Sequence, residues 1–127
     1  MQHLLLDLYG CDAQKLADAD GLRRFLNELP DHLGMPKAGP ADLFFINDVS
    51  DPRDAGHSGL TLASNHVSLH AWPPYHMVNI DVFARAAFDE AAAIAFARAT
   101  FEPGDIEVHS VQRATRWPGQ RESTEEP

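Results

Sequence analysis

Cysteine is nearly absent: the 127 residues hold only Cys11, so no disulfide can close within the chain. Basic side chains are scarce as well, with 10 Lys and Arg against 19 Asp and Glu and a formal net charge of -9. Such a chain repels phosphate backbones and anionic headgroups, which argues against nucleic acid and membrane surfaces as partners. Long apolar runs are missing too. Runs such as Leu4 to Leu6 and Leu43 to Ile46 fall far short of the roughly 20 residues that a membrane span needs. No segment joins a basic start to a long apolar stretch, so a cytoplasmic protein is expected.

What the chain does have is enough apolar material, 44% of its residues, for one continuous core. One domain over residues 1–116 is expected, followed by a polar, charged tail over residues 117–127 that reads as disordered. A sheet covered by helices on one side only would leave an apolar face in need of a partner, and a homodimer is therefore expected.

The periodicity supplies an order of elements. His3 to Tyr9 reads as a buried strand stopped at Gly10. Asp18 is placed to cap a helix whose apolar positions Leu22, Phe25, Leu26 and Leu29 keep helical spacing until Pro30. Ala41 to Val49 reads as a strand, and Gly59 to His70 alternates as one strand with Ser64, His66, Ser68 and His70 on a common face. Met77 to Phe83 is a further strand, Phe88 to Phe101 a helix, and Ile106 to Val111 the last strand. The sum is an α+β two-layer sandwich, a mainly antiparallel sheet with two helices on one face.

Three stretches carry a family likeness: His3-Leu4-Leu5-Leu6-Asp7-Leu8-Tyr9-Gly10-Cys11-Asp12, the run from Ser58-Gly59 through Ala63-Ser64-Asn65-His66 to His70-Ala71-Trp72-Pro73, and Asn79-Ile80-Asp81-Val82-Phe83. Together they resemble the bacterial S-adenosylmethionine decarboxylases over roughly residues 3 to 113. The resemblance implies a pyruvoyl enzyme of polyamine synthesis. In that family the proenzyme cuts itself before an internal serine, which becomes the pyruvoyl group and serves as an electron sink.

The family pattern Ala-Glu-Ser-His corresponds here to Ala63, Ser64, Asn65 and His66, so Asn65 stands where the serine would be. A carboxamide has no hydroxyl with which to attack the preceding carbonyl, and no pyruvoyl is expected at Asn65. Arg85 replaces the family's proton-donating cysteine, and a guanidinium is a poor general acid. Pro74 replaces the glutamate after Trp-Pro, whereas Ser58 and His70 match residues that assist self-processing. A shift of cleavage to Ser64 is disfavoured, because one residue along a strand turns the side chain to the other face, where the old machinery would meet the wrong group.

The resulting candidate site has Asn65, His70, Arg85 and Ser58 in catalytic positions and Ser64, His66, Ser68 and Phe83 as substrate-binding groups. No metal is expected: His66 and His70 on a strand lie roughly 13 Å apart, and His57 and His76 read as loop and surface residues. Arg85 could pair with a substrate carboxylate, and Phe44, Phe45, Tyr75 or Phe83 could stack a purine. Cys11 reads as a small buried hydrophobe. Three functions are compatible with these residues. One is pyruvoyl-independent chemistry on S-adenosylmethionine or a related amine metabolite; another is an inactive regulatory paralogue; the third is a genuine decarboxylase with a displaced cleavage site.

Overall fold

A computed structural model describes residues 1–119. It contains β1 (Gln2–Tyr9), α1 (Ala13–Leu16), α2 (Ala19–His32), β2 (Asp42–Ile46), β3 (Gly56–Leu62), β4 (Asn65–Trp72), β5 (Met77–Ala84), α3 (Glu90–Phe101) and β6 (Asp105–Gln112). The strands form one antiparallel sheet in the order β2-β3-β4-β5-β1-β6, so the chain's first strand sits between its last two. The expected α+β class and the placement of the long helices on one face hold.

Alternation within the strands separates two faces. Leu4, Leu6 and Leu8 of β1, Val67 and Leu69 of β4 and Val78, Ile80 and Val82 of β5 are buried against the helices. From α2 the stripe of Leu22, Phe25, Leu26 and Leu29 meets them, and from α3 Ala93, Ala97 and Phe101 do so. Each fully buried leucine or phenylalanine stabilises the fold by about 1.5–3 kcal/mol. Phe25 packs edge-on against Phe101 with ring centroids 5.0 Å apart, locking α2 to α3. Thr61, the buried polar side chain of the core, donates to the Leu26 carbonyl at 2.6 Å and ties β3 to α2.

Several local expectations change. The segment Gly59 to His70 is not one strand but the two arms of a hairpin, β3 and β4, joined at Ala63-Ser64. The Ala63 N–H donates to the Asn65 carbonyl at 2.8 Å, and Ser64 adopts φ 43, a left-handed conformation found at turns. Alternation misleads here because two adjacent strands with a tight turn keep much the same period as one long strand. Pro30 does not end α2, which runs to His32: the Leu26 carbonyl, which a residue-30 N–H would have bonded, accepts from Thr61 instead. Asp18 stands at the start of α2, yet its side chain makes no capping bond, whereas Asp89 accepts from the Ala92 N–H at 3.0 Å at the start of α3. Of the expected tail, residues 120–127 lie outside the described residues, while Trp117 lies beneath the Arg85 guanidinium, 5.9 Å from its ring centroid.

Candidate active site

The face away from the helices is uncovered, and the strand registers arrange its side chains into lateral rows. Ser58 of β3 pairs with His70 of β4, His70 with Asn79 of β5, Asn79 with Asp7 of β1, and Asp7 with Glu107 of β6. Phe44 of β2 pairs with Ser58, so the row crosses all six strands. A second row brings His66, Phe83 and His3 side by side.

Within the first row, Ser58 Oγ and His70 Nδ1 form a hydrogen bond. The His70 Nε2 is buried without a partner among the described residues, and burial pushes this imidazole below its ordinary value of 6.5. The Trp72 indole lies against the His70 ring with centroids 4.1 Å apart. Trp72 Nε1 donates to Asn79 Oδ1 at 2.7 Å, and Asn79 Nδ2 donates to Asp7 Oδ1 at 2.7 Å. At the far end Tyr9 donates its hydroxyl to Glu107, a contact that pushes the phenol up to about 12.

In the second row Phe83 is flanked by His66 at 5.6 Å and His3 at 5.5 Å, centroid to centroid, with the Arg113 guanidinium 4.7 Å above it. His3 is pushed down chiefly by burial, with Arg113 and His66 adding to the effect and Asp81, 3.9 Å away, opposing it.

The structure therefore divides the expected site residues. Ser58, His66, Ser68, His70 and Phe83 share the uncovered face. Ser64 does not join them by strand alternation, since it lies in the turn. Asn65 opens β4 at the opposite parity, opposite Ala84, and its Oδ1 accepts the Arg85 backbone N–H at 2.8 Å. Along the strand it lies roughly 16 Å from His70. Arg85 is exposed rather than held at a buried position, because it follows the end of β5, where the sheet no longer shields it. Ser64, Asn65, Arg85 and Ala86 line a hollow of about 310 Å³ at this end of the sheet.

Other residues correct the sequence reading. His57 is not in a loop but in β3, half-buried, with Nδ1 unpartnered. His76 sits at a left-handed turn and its Nδ1 contacts the Cys11 carbonyl at 2.8 Å. Burial raises the Cys11 thiol to about 11, as suits a packed hydrophobe. Among the described residues, Asp7, Glu107 and His109 offer ligand atoms within 4.8 Å of one another, a grouping that no motif announced because it arises from the β1–β6 pairing. The same is true of Asn79 and Asp7, whose one signal was polar residues interrupting apolar strands at the strand period.

Residues 2–114 match the family model described as S-adenosylmethionine decarboxylase. The chain belongs to this family. It is 32% identical over 83 residues to an S-adenosylmethionine decarboxylase proenzyme of Archaeoglobus fulgidus, covering 65% of this chain and 68% of that protein. A proenzyme of the same name from Synechococcus is 35% identical over 83 residues, covering 65% and 59%. The crystal structure of the adenosylmethionine decarboxylase from Aquifex aeolicus superposes with a TM-score of 0.72 at 21% identity, over 91% of this chain and 96% of that one, and supports the fold. Among the described residues, no helix is long and apolar enough to cross a membrane.

Proposed function

We propose that the protein binds S-adenosylmethionine or a related amine-bearing metabolite at this uncovered face and acts on it without a pyruvoyl group. The observation that carries the reading is the Ser58–His70 hydrogen bond, which keeps a hydroxyl and an imidazole together on the uncovered face of the sheet. The relatives' names supply the substrate class. The residue matched to the family's cofactor-forming serine does not fit that group: Asn65 carries a carboxamide, and its oxygen is engaged by the Arg85 N–H. No step is routed through a pyruvoyl at Asn65 on this reading. Asn65 and Arg85 instead line the hollow at the end of the sheet, where the guanidinium is available to a carboxylate. The site is completed by a second copy of the chain, because the face also exposes Phe44, Leu60 and Leu62.

A second reading, the genuine decarboxylase with a displaced cleavage site, is favoured by the bonded Ser58 and His70, which match the family's self-processing residues, and by the place of Ser64. Ser64 lies in a turn, not in a strand, so the argument from strand parity against cleavage before Ser64 loses its premise. Both relatives quoted above are named as proenzymes, which is in keeping with a processed decarboxylase.

Intact-protein mass spectrometry separates the two. A full-length mass supports the pyruvoyl-independent reading; fragments covering residues 1–63 and 64–127 overturn it in favour of a decarboxylase cleaved at Ser64. Thermal-shift titration of S-adenosylmethionine on the same sample reads binding. A ligand-dependent rise without any product marks the regulatory paralogue, and the absence of any rise sinks the proposed substrate class.

A further inference from the structure

We infer that Asn79 is a positioning residue of this site: through its two side-chain hydrogen bonds it ties the Trp72 indole to Asp7 and so holds the His70 ring in its pairing with Ser58. The inference rests on the proposed role of the Ser58–His70 pair. Its geometry is independent of that role.

The chemistry of the donors leaves one arrangement. An indole Nε1–H only donates, so Asn79 must turn its Oδ1 to Trp72; its amide then faces Asp7, whose carboxylate accepts. Both bonds are 2.7 Å, and together they fix the carboxamide from two sides. The indole held in this way lies 4.1 Å, centroid to centroid, from the imidazole of His70. Among the described residues His70 has one side-chain hydrogen bond, to Ser58, and a buried Nε2 without a partner, so its orientation depends on the ring packed beside it. Asp7, Asn79, His70 and Ser58 are successive register partners on four neighbouring strands, which lets a short side chain on β5 act on a pair shared by β3 and β4.

The row does not pass protons from Asp7 to His70. The link between Trp72 and His70 is ring packing, and an indole N–H is neither an acceptor nor an acid near neutral pH. Asn79 therefore acts by orientation alone, as residues behind a reacting group commonly do.

The test uses the unliganded full chain and follows the His70 imidazole by NMR pH titration in wild type, Asn79→Leu and Trp72→Phe. Asn79→Leu removes both bonds on an uncovered face, without opening a core cavity. The result expected is that in each variant the His70 midpoint moves up toward the ordinary histidine value, as the indole swings away and water reaches the ring. The double variant should move it no further than the larger single change, since both substitutions break one linkage. A His70 midpoint unchanged in folded Asn79→Leu overturns the inference, as does additivity of the two substitutions. Should Asn79→Leu fail to fold, Trp72→Phe reads the same bond from the other side, and an unchanged midpoint there overturns it equally. None of these readouts uses S-adenosylmethionine, so a failure of the ligand to bind would count against the proposed function and leave the positioning role standing.

Discussion

Asn65 and Arg85 are joined across the end of the sheet, the side-chain oxygen of one accepting the backbone N–H of the other at 2.8 Å. The bond closes the β4–β5 ladder just beyond its last register pair, Asn65 opposite Ala84. Loss of one such bond at an exposed strand end costs about 0.5–1.5 kcal/mol.

Asn65→Ala should therefore lower the melting temperature by roughly 2–6 °C. Asn65→Asp, which keeps an acceptor at the same position, should retain most of the stability. Differential scanning calorimetry of the three proteins checks this, and an unchanged melting temperature in Asn65→Ala would show that the bond contributes nothing.

Stability should fall as the solution is acidified below neutrality. His3, His57 and His70 are each pushed below 6.5, burial being the largest cause in every case. The unfolded chain binds protons near 6.5 while the folded chain still resists them, so folding stability is fullest above 6.5 and is lost as pH falls from 6.5 through the folded values. A melting temperature that decreases from pH 7.5 toward pH 5.5, with a weaker decrease in His70→Gln, is the expected profile. A flat profile would contradict the burial of these imidazoles.

Gly59 is expected to be intolerant of any side chain. A Cβ there would come within 2.6 Å of the Asp42 carbonyl oxygen and 2.8 Å of side-chain atoms of Leu26 and Leu43. Backbone of the neighbouring strand has nowhere to go, so Gly59→Ala should destabilise by about 1–3 kcal/mol, read as a lower denaturant midpoint. An unchanged midpoint would mean that β2 and α2 pack more loosely than described.

The uncovered face should carry the subunit contact. Phe44 is 60% exposed and Leu62 57%, and both stand on the side of the sheet away from the helices. Light scattering should give twice the 14.0 kDa of one chain, and Leu62→Glu with Phe44→Glu should shift the mass toward one chain. A monomer in the wild type would remove the second copy from the proposed site.

Sequence periodicity located most of the elements because apolar residues recur at the strand and helix periods, as in Leu4, Leu6 and Leu8 or Leu22, Phe25 and Leu29. It missed the β3–β4 turn because Ala63-Ser64 lacks the glycine or asparagine-glycine that commonly announces a hairpin. Ser58 and His70 were singled out by resemblance, not by spacing, and their pairing comes from the β3–β4 register. The neighbours of that pair were invisible for a different reason: Asp7 and Asn79 lie 72 positions apart and meet through strand order, which no local pattern encodes.

The lateral row that begins at Phe44 and ends at Glu107 gives the open side of the sheet a direction. One margin is greasy and aromatic, the middle holds a neutral hydroxyl and imidazole, and the opposite margin carries Asp7 and Glu107. An elongated molecule with a cationic end has only one comfortable way to lie along it, positive end toward the acidic margin. Orientation would then be decided before any bond to the central pair is made.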